Sequence, residues 1–176
     1  MGLSPKITLR LSLRIISEWI RESTLKSSNA VRFNPILTAM RRAYSLQSCS
    51  GIPIGDRRYP VSLLADSVPV VVVPHSLALN EADARFSITG AGARKKSAFM
   101  LMQEFLNAST ECLWGMVCNG KSLRLLRDAA TLTRPSYLEI DLADLLGGQR
   151  YAEFANVWRL LHASRSAGNP AECIWE

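Results

Sequence analysis

The chain has 176 residues, 48% of them hydrophobic and 20% charged, with a formal net charge of +6. Those values belong to a globular chain of about one domain, long enough to bury a sizeable core. The longest apolar run, Val68–Pro74, is of strand length and far short of the roughly eighteen residues that mark a membrane helix, so no membrane partner is expected.

In chain order, Ile7–Ile15 alternates apolar and polar residues, but from Leu13 the apolar positions Leu13, Ile16, Trp19 and Ile20 share a helical face. A helix is therefore expected from about Leu9 to Lys26, broken by Ser27-Ser28-Asn29. A second is expected from Pro35 to Leu46, with proline in its first turn and Arg41-Arg42 on its outer face. Residues 1–50 thus read as an N-terminal helical segment. Ser48–Pro60 reads as loop and Tyr59–Leu64 as a strand, followed by a buried strand that Pro69 and Pro74 confine. Asn80–Lys96 has no sustained period and reads as a mobile loop. Ser97 is placed to cap a helix running through Asn107, with Phe99, Met102 and Leu106 inward.

The most informative stretch is Leu113–Asp141. Strands are expected at Leu113–Cys118 and Ser122–Arg127, joined at Asn119-Gly120, a pair that suits a type I′ turn because both central residues need positive φ. A third strand is expected at Ser136–Ile140, after a linker that Pro135 keeps from being helix. Asp141 then caps a short helix ended by Gly147-Gly148, and Tyr151–Ala163 forms another with Tyr151, Phe154, Trp158 and Leu161 on one stripe. An α/β domain over 51–165 and a C-terminal tail over 166–176 complete the expected organisation.

Charge is unevenly placed. Up to Arg58 there are ten Lys/Arg against three Asp/Glu, and from Asp128 onward four against seven. A basic front suggests a polyanionic partner, nucleic acid first among them. Cys49, Cys112, Cys118 and Cys173 show no CxxC spacing, and His75 and His162 add no zinc pattern, so free thiols in a reducing cytoplasm are expected. Lys6 stands where a myristoylation signal needs Ser or Thr, and no signal peptide is legible.

A magnesium-dependent nuclease needs carboxylates on adjoining strands to hold the cation and a lysine to orient water. Asp66 precedes a strand in a suitable place, but Pro74-His75-Ser76 stands where the second half belongs. Glu81, Asp83 and Glu104 remain as candidates for a migrated ligand set, and no metal or cofactor is expected for this chain. Thr89-Gly-Ala-Gly-Ala-Arg-Lys-Lys-Ser97 fails as a phosphate-binding loop, because Lys95 occupies the position that needs glycine. It still presents Arg94, Lys95 and Lys96 before a helix N-terminus, as candidates for DNA-phosphate contacts, with Arg124, Arg127 and Arg134 extending them.

Several motifs carry a resemblance: QEFLN at 103–107, LWGMVCNGKSLRLLRD, LTRPSYLEIDL and LLHASR. This block, strongest from Ser97 to Arg165, resembles the N-terminal region of bacterial Type IIG-like restriction-modification proteins, in which an endonuclease-like region is fused to an adenine-specific DNA methyltransferase. The strand, Asn-Gly turn and basic strand are also similar to the nuclease domain of Type I restriction subunits. The resemblance implies a mixed β-sheet with flanking helices, a degenerate PD-(D/E)xK restriction-endonuclease-like fold. It implies DNA as partner, with a methyltransferase domain or subunit beside it, in phage defence. S-adenosylmethionine and magnesium are implied for the full-length family alone. Asn34-Pro35 and Asn169-Pro170 are not followed by Pro-aromatic, so the adenine-gripping motif is missing here. The expectation is a truncated or stand-alone N-terminal module that does not itself catalyse.

Overall fold

The computed structural model describes residues 46–65, 68–92, 94–128, 136–161 and 175. The helix expected over 9–26, nearly all of that over 35–46, Asp66, Arg134 and the expected tail (Trp175 apart) lie outside these. In chain order the described residues form β1 (Leu46–Ser48), β2 (Ile52–Ile54), β3 (Arg57–Tyr59), β4 (Leu63–Ala65), β5 (Val68–Val72) and β6 (Ala82–Asp83). A 3-10 turn follows at Ala84–Phe86, then β7 (Lys96–Ser97), α1 (Ala98–Ala108), β8 (Trp114–Cys118), β9 (Ser122–Arg127) and β10 (Tyr137–Asp141). Helices α2 (Leu142–Gly147) and α3 (Tyr151–Leu161) end the described chain.

The architecture is mixed α/β. Its main sheet has six strands in the order β1-β4-β5-β8-β9-β10, and two further strand pairs, β2-β3 and β6-β7, stand apart from it. Only β5 and β8 run parallel in the main sheet; every other neighbouring pair is antiparallel. The described residues fall into two compact units, one over 46–142 and a second from Ala143 onward.

The central strands read as unbroken apolar runs because both of their faces are covered. Val70 and Val71 point to opposite sides, as do Met116 and Val117, and all four are buried. On one side Val71, Val117 and Leu126 meet Leu101, Met102, Phe105 and Leu106 of α1, with Tyr59, Phe86 and Ile88 completing the cluster. Each of these large side chains contributes roughly 1.5–3 kcal/mol by leaving water. Helix α1 forms where its sequence signals place it: Ser97 Oγ accepts from Met100 N–H at 3.2 Å, and apolar residues recur at helical spacing. It lies close on the sheet because Gly115 has no side chain; a Cβ there would stand 2.4 Å from Met102 Sδ.

Four expectations are corrected. Tyr59–Leu64 is not one strand: Pro60 separates β3 from β4. The expected loop over 48–60 contains β2 and β3, a hairpin around Gly55-Asp56 with Ile52 opposite Tyr59. The 80–96 span, expected as a mobile loop without sustained period, carries β6, the 3-10 turn and β7, with Phe86 and Ile88 buried. The β8–β9 turn is not type I′. Gly120 has φ +85°, Asn119 is not among the residues of positive φ, and Asn119 N–H bonds Ser122 O at 3.3 Å. The central pair is thus Gly120-Lys121, the type II′ pattern, in which only the first central residue needs positive φ. Asn119 instead works through its side chain, Oδ1 accepting from Lys121 N–H at 3.0 Å and Ser122 N–H at 2.9 Å.

In the second unit, Asp144 and Arg150 form an ion pair at 3.0 Å, the Phe154 and Trp158 rings stack at 6.5 Å, and Trp175 Nε1–H donates to Leu160 O at 2.8 Å.

Candidate nucleic-acid interface

Two basic stretches that are distant in the chain are brought together by backbone. Arg58 N–H donates to Thr89 O at 3.0 Å and Thr89 N–H donates to Arg58 O at 3.1 Å, so the β2–β3 hairpin is clasped to the segment that leads to Arg94. The clasp admits only glycine beside it. Gly90 has φ +87°, and a Cβ there would sit 2.5 Å from Asp56 O. The far end of the segment is fixed as well. Lys96 Nζ pairs with Glu104 Oε2, and Arg57 pairs with Glu104 Oε1 at 3.5 Å. Thr89 is thus bonded to β3 directly, and Lys96 shares the Glu104 carboxylate with Arg57 of β3.

The cations here are not equivalent. Arg57, Arg58, Arg94 and Lys95 are exposed, whereas the Lys96 side chain is only 13% exposed and is committed to Glu104. The Arg57–Glu104 contact is an exposed pair of less than about 1 kcal/mol, so an incoming phosphate displaces it at little cost. Arg58 is steadied by Ser50, its Nε donating to Ser50 O at 3.3 Å and its other nitrogen to Ser50 Oγ at 3.0 Å. The α1 N-terminus offers less than its sequence suggests. Phe99 N–H is taken by Leu79 O at 3.2 Å and Met100 N–H by Ser97 Oγ.

Arg124 is turned into the fold and only 7% exposed. Its Nε donates to Glu139 Oε2 at 2.5 Å and another nitrogen to Asn80 Oδ1 at 2.6 Å, and its guanidinium lies 4.5 Å from the Tyr137 ring centroid and 5.3 Å from that of Phe99. A guanidinium held by a carboxylate, an amide and two rings is not available to a phosphate. Arg127, exposed at the end of β9, stands 5.9 Å from the Trp114 ring.

Among the acidic candidates, Asp66 lies outside the described residues and the other three are occupied separately. Glu81 Oε2 accepts from Ala78 N–H at 3.3 Å. Asp83 Oδ1 accepts from Arg85 N–H at 2.9 Å and Arg85 Nε–H at 3.0 Å, bonds that hold its carboxyl below the ordinary carboxylate value. Glu104 faces Lys96 and Arg57. Among the described residues no group of three His, Cys, Asp or Glu side chains is arranged to hold a metal ion. His75 donates from Nδ1 to Asn119 O at 3.2 Å, fastening the end of β5 to the β8–β9 turn.

No family model, curated protein or solved structure matches the chain.

Arg57 and Arg58 did not stand out in the sequence as site residues, although a signal was present. Ile52-Pro-Ile54 and Arg57-Arg-Tyr59 are separated by Gly-Asp, a two-residue hairpin connection. Chemically, four exposed cations on a clasped backbone can neutralise phosphates without reading bases, which gives salt-sensitive, sequence-independent contact. No described helix is long and apolar enough to cross a membrane.

Proposed function

We propose that this chain is a non-catalytic module of a bacterial restriction-modification protein, with a degenerate nuclease-like sheet, that holds DNA by its phosphates. The observation that carries the DNA contact is the Arg58–Thr89 clasp, which joins Arg57 and Arg58 to the segment bearing Arg94 and Lys95. The restriction-modification context rests on the resemblance of residues 97–165 to Type IIG-like proteins, with a methyltransferase domain or subunit as the neighbouring partner.

Duplex binding followed across a salt series, with a plasmid-nicking assay in magnesium, tests this reading. Expected are an affinity that falls steeply with salt and no nicking. Magnesium-dependent nicking lost in Asp66→Ala would establish an active nuclease instead. Undetectable duplex binding at low salt would point to an acidic protein partner.

A further inference from the structure

Tyr137 begins β10, the strand at one edge of the main sheet, and is 46% exposed. Its ring is nevertheless braced. Arg124 stands over it at 4.5 Å, and Phe99 meets it edge-on at 5.2 Å and 72°. Arg124 is in turn fixed by Glu139 and Asn80, at 2.5 and 2.6 Å. Four side chains thus set the orientation of a ring that still presents nearly half of its residue to solvent. Tyr59, Phe86 and Phe105, whose work is packing, are buried almost completely. Phe99 also links this cluster to the basic segment. It lies in the first turn of α1, directly after β7 (Lys96–Ser97), so the aromatic group begins where the cationic stretch ends.

A basic track leading to a braced, exposed aromatic ring is the arrangement that binds unpaired nucleic acid: cations follow the backbone and the ring stacks on a base. A duplex offers no base face to such a ring, only edges and backbone. Bracing adds to the effect because little side-chain freedom is left to lose on binding. We propose that Tyr137, positioned by Arg124 and Phe99, stacks on a base of single-stranded nucleic acid whose phosphates pass Arg94 and Lys95. This rests on the phosphate-binding reading above and extends it from duplex to unpaired strand.

The test is a titration of the full chain with three probes: a deoxythymidine oligonucleotide, the same strand with abasic spacers replacing internal bases, and a duplex. The abasic strand should bind about tenfold more weakly than the thymidine strand, with an unchanged salt dependence, since its phosphates remain. Tyr137→Leu should lower thymidine-strand affinity to the abasic level and leave the duplex unaffected, and Tyr137→Phe should retain the wild-type value. Equal binding of thymidine and abasic strands by the unsubstituted chain overturns the proposal, and that comparison needs no variant to fold. A Tyr137→Leu loss equal on strand and duplex overturns it too, as does loss of self-association with strand binding intact, which would mark a protein-docking edge. Duplex binding without a base effect removes only the stacking role; binding of neither form removes the phosphate-binding reading as well.

Discussion

Arg58 and Thr89 exchange both of their backbone hydrogen bonds, at 3.0 and 3.1 Å. This isolated bridge fastens a small hairpin, outside the main sheet, to the segment that precedes the exposed cations. The clasp depends on Gly90, where positive φ coincides with an approach to Asp56 O that no Cβ fits. Gly90→Ala should cost about 2–3 kcal/mol in urea denaturation, combining left-handed strain with displacement of backbone. Gly92→Ala is the control. Its φ is +81° but nothing lies within 4 Å of the added atom, so about 1 kcal/mol is expected. Equal costs at the two positions would show that the close approach does not matter.

Arg124→Ala should destabilise the chain by about 1–3 kcal/mol, less than a fully buried pair would, because Glu139 remains partly solvated once left alone. Arg124→Lys should recover little of this. An ammonium cannot reach Glu139 and Asn80 from one planar fork while lying against two rings. Thermal unfolding of the two variants checks it; full recovery by lysine would mean that charge alone matters.

Burial pushes the Cys118 thiol up from 9.0 to about 11. The folded chain therefore keeps a proton that the unfolded chain releases above about pH 9. Stability from this group is fully present below pH 9 and is lost as pH rises from 9 to 11. Urea denaturation of wild type and Cys118→Ala at pH 8 and pH 10.5 isolates this contribution. The advantage of wild type should shrink at the higher pH. The native thiol should also resist alkylation at pH 8, where roughly one molecule in a thousand carries the reactive thiolate.

Gly115→Ala should cost about 1–3 kcal/mol, because the new methyl group forces Met102 and Leu106 of α1 away from the sheet. Adding Met102→Ala should cost less in the Gly115→Ala background than in wild type, since the two changes share one space. A double-mutant cycle measured by denaturation gives the coupling; simple additivity would contradict the close packing.

The elements with a strong local signal were legible in the sequence. Ser97 ahead of a periodic apolar run marked α1, and two apolar stretches around Asn119-Gly120 marked β8 and β9 to within a residue. The strands of two or three residues were not, since β2, β3, β6 and β7 are too short to show a period, β6 and β7 pair across an intervening 3-10 turn, and the β2–β3 hairpin is fastened by the distant Thr89. Gly55-Asp56 was their one local trace. The candidate site followed the same division. Arg94 and Lys95 stood out as a basic run, whereas Arg57 and Arg58 joined them only through the Thr89 bridge. Arg124 looked like one more surface cation until the β9–β10 register set it opposite Glu139.

The most direct measurement is the salt dependence of duplex binding for wild type and for the variant carrying Arg57→Ala, Arg58→Ala, Arg94→Ala and Lys95→Ala. Each phosphate contact contributes about 0.9 to the slope of log affinity against log salt, so the variant's slope should be shallower by about 3–4, with thermal stability little changed. An unchanged slope in a folded variant would contradict the assignment of DNA to this rim.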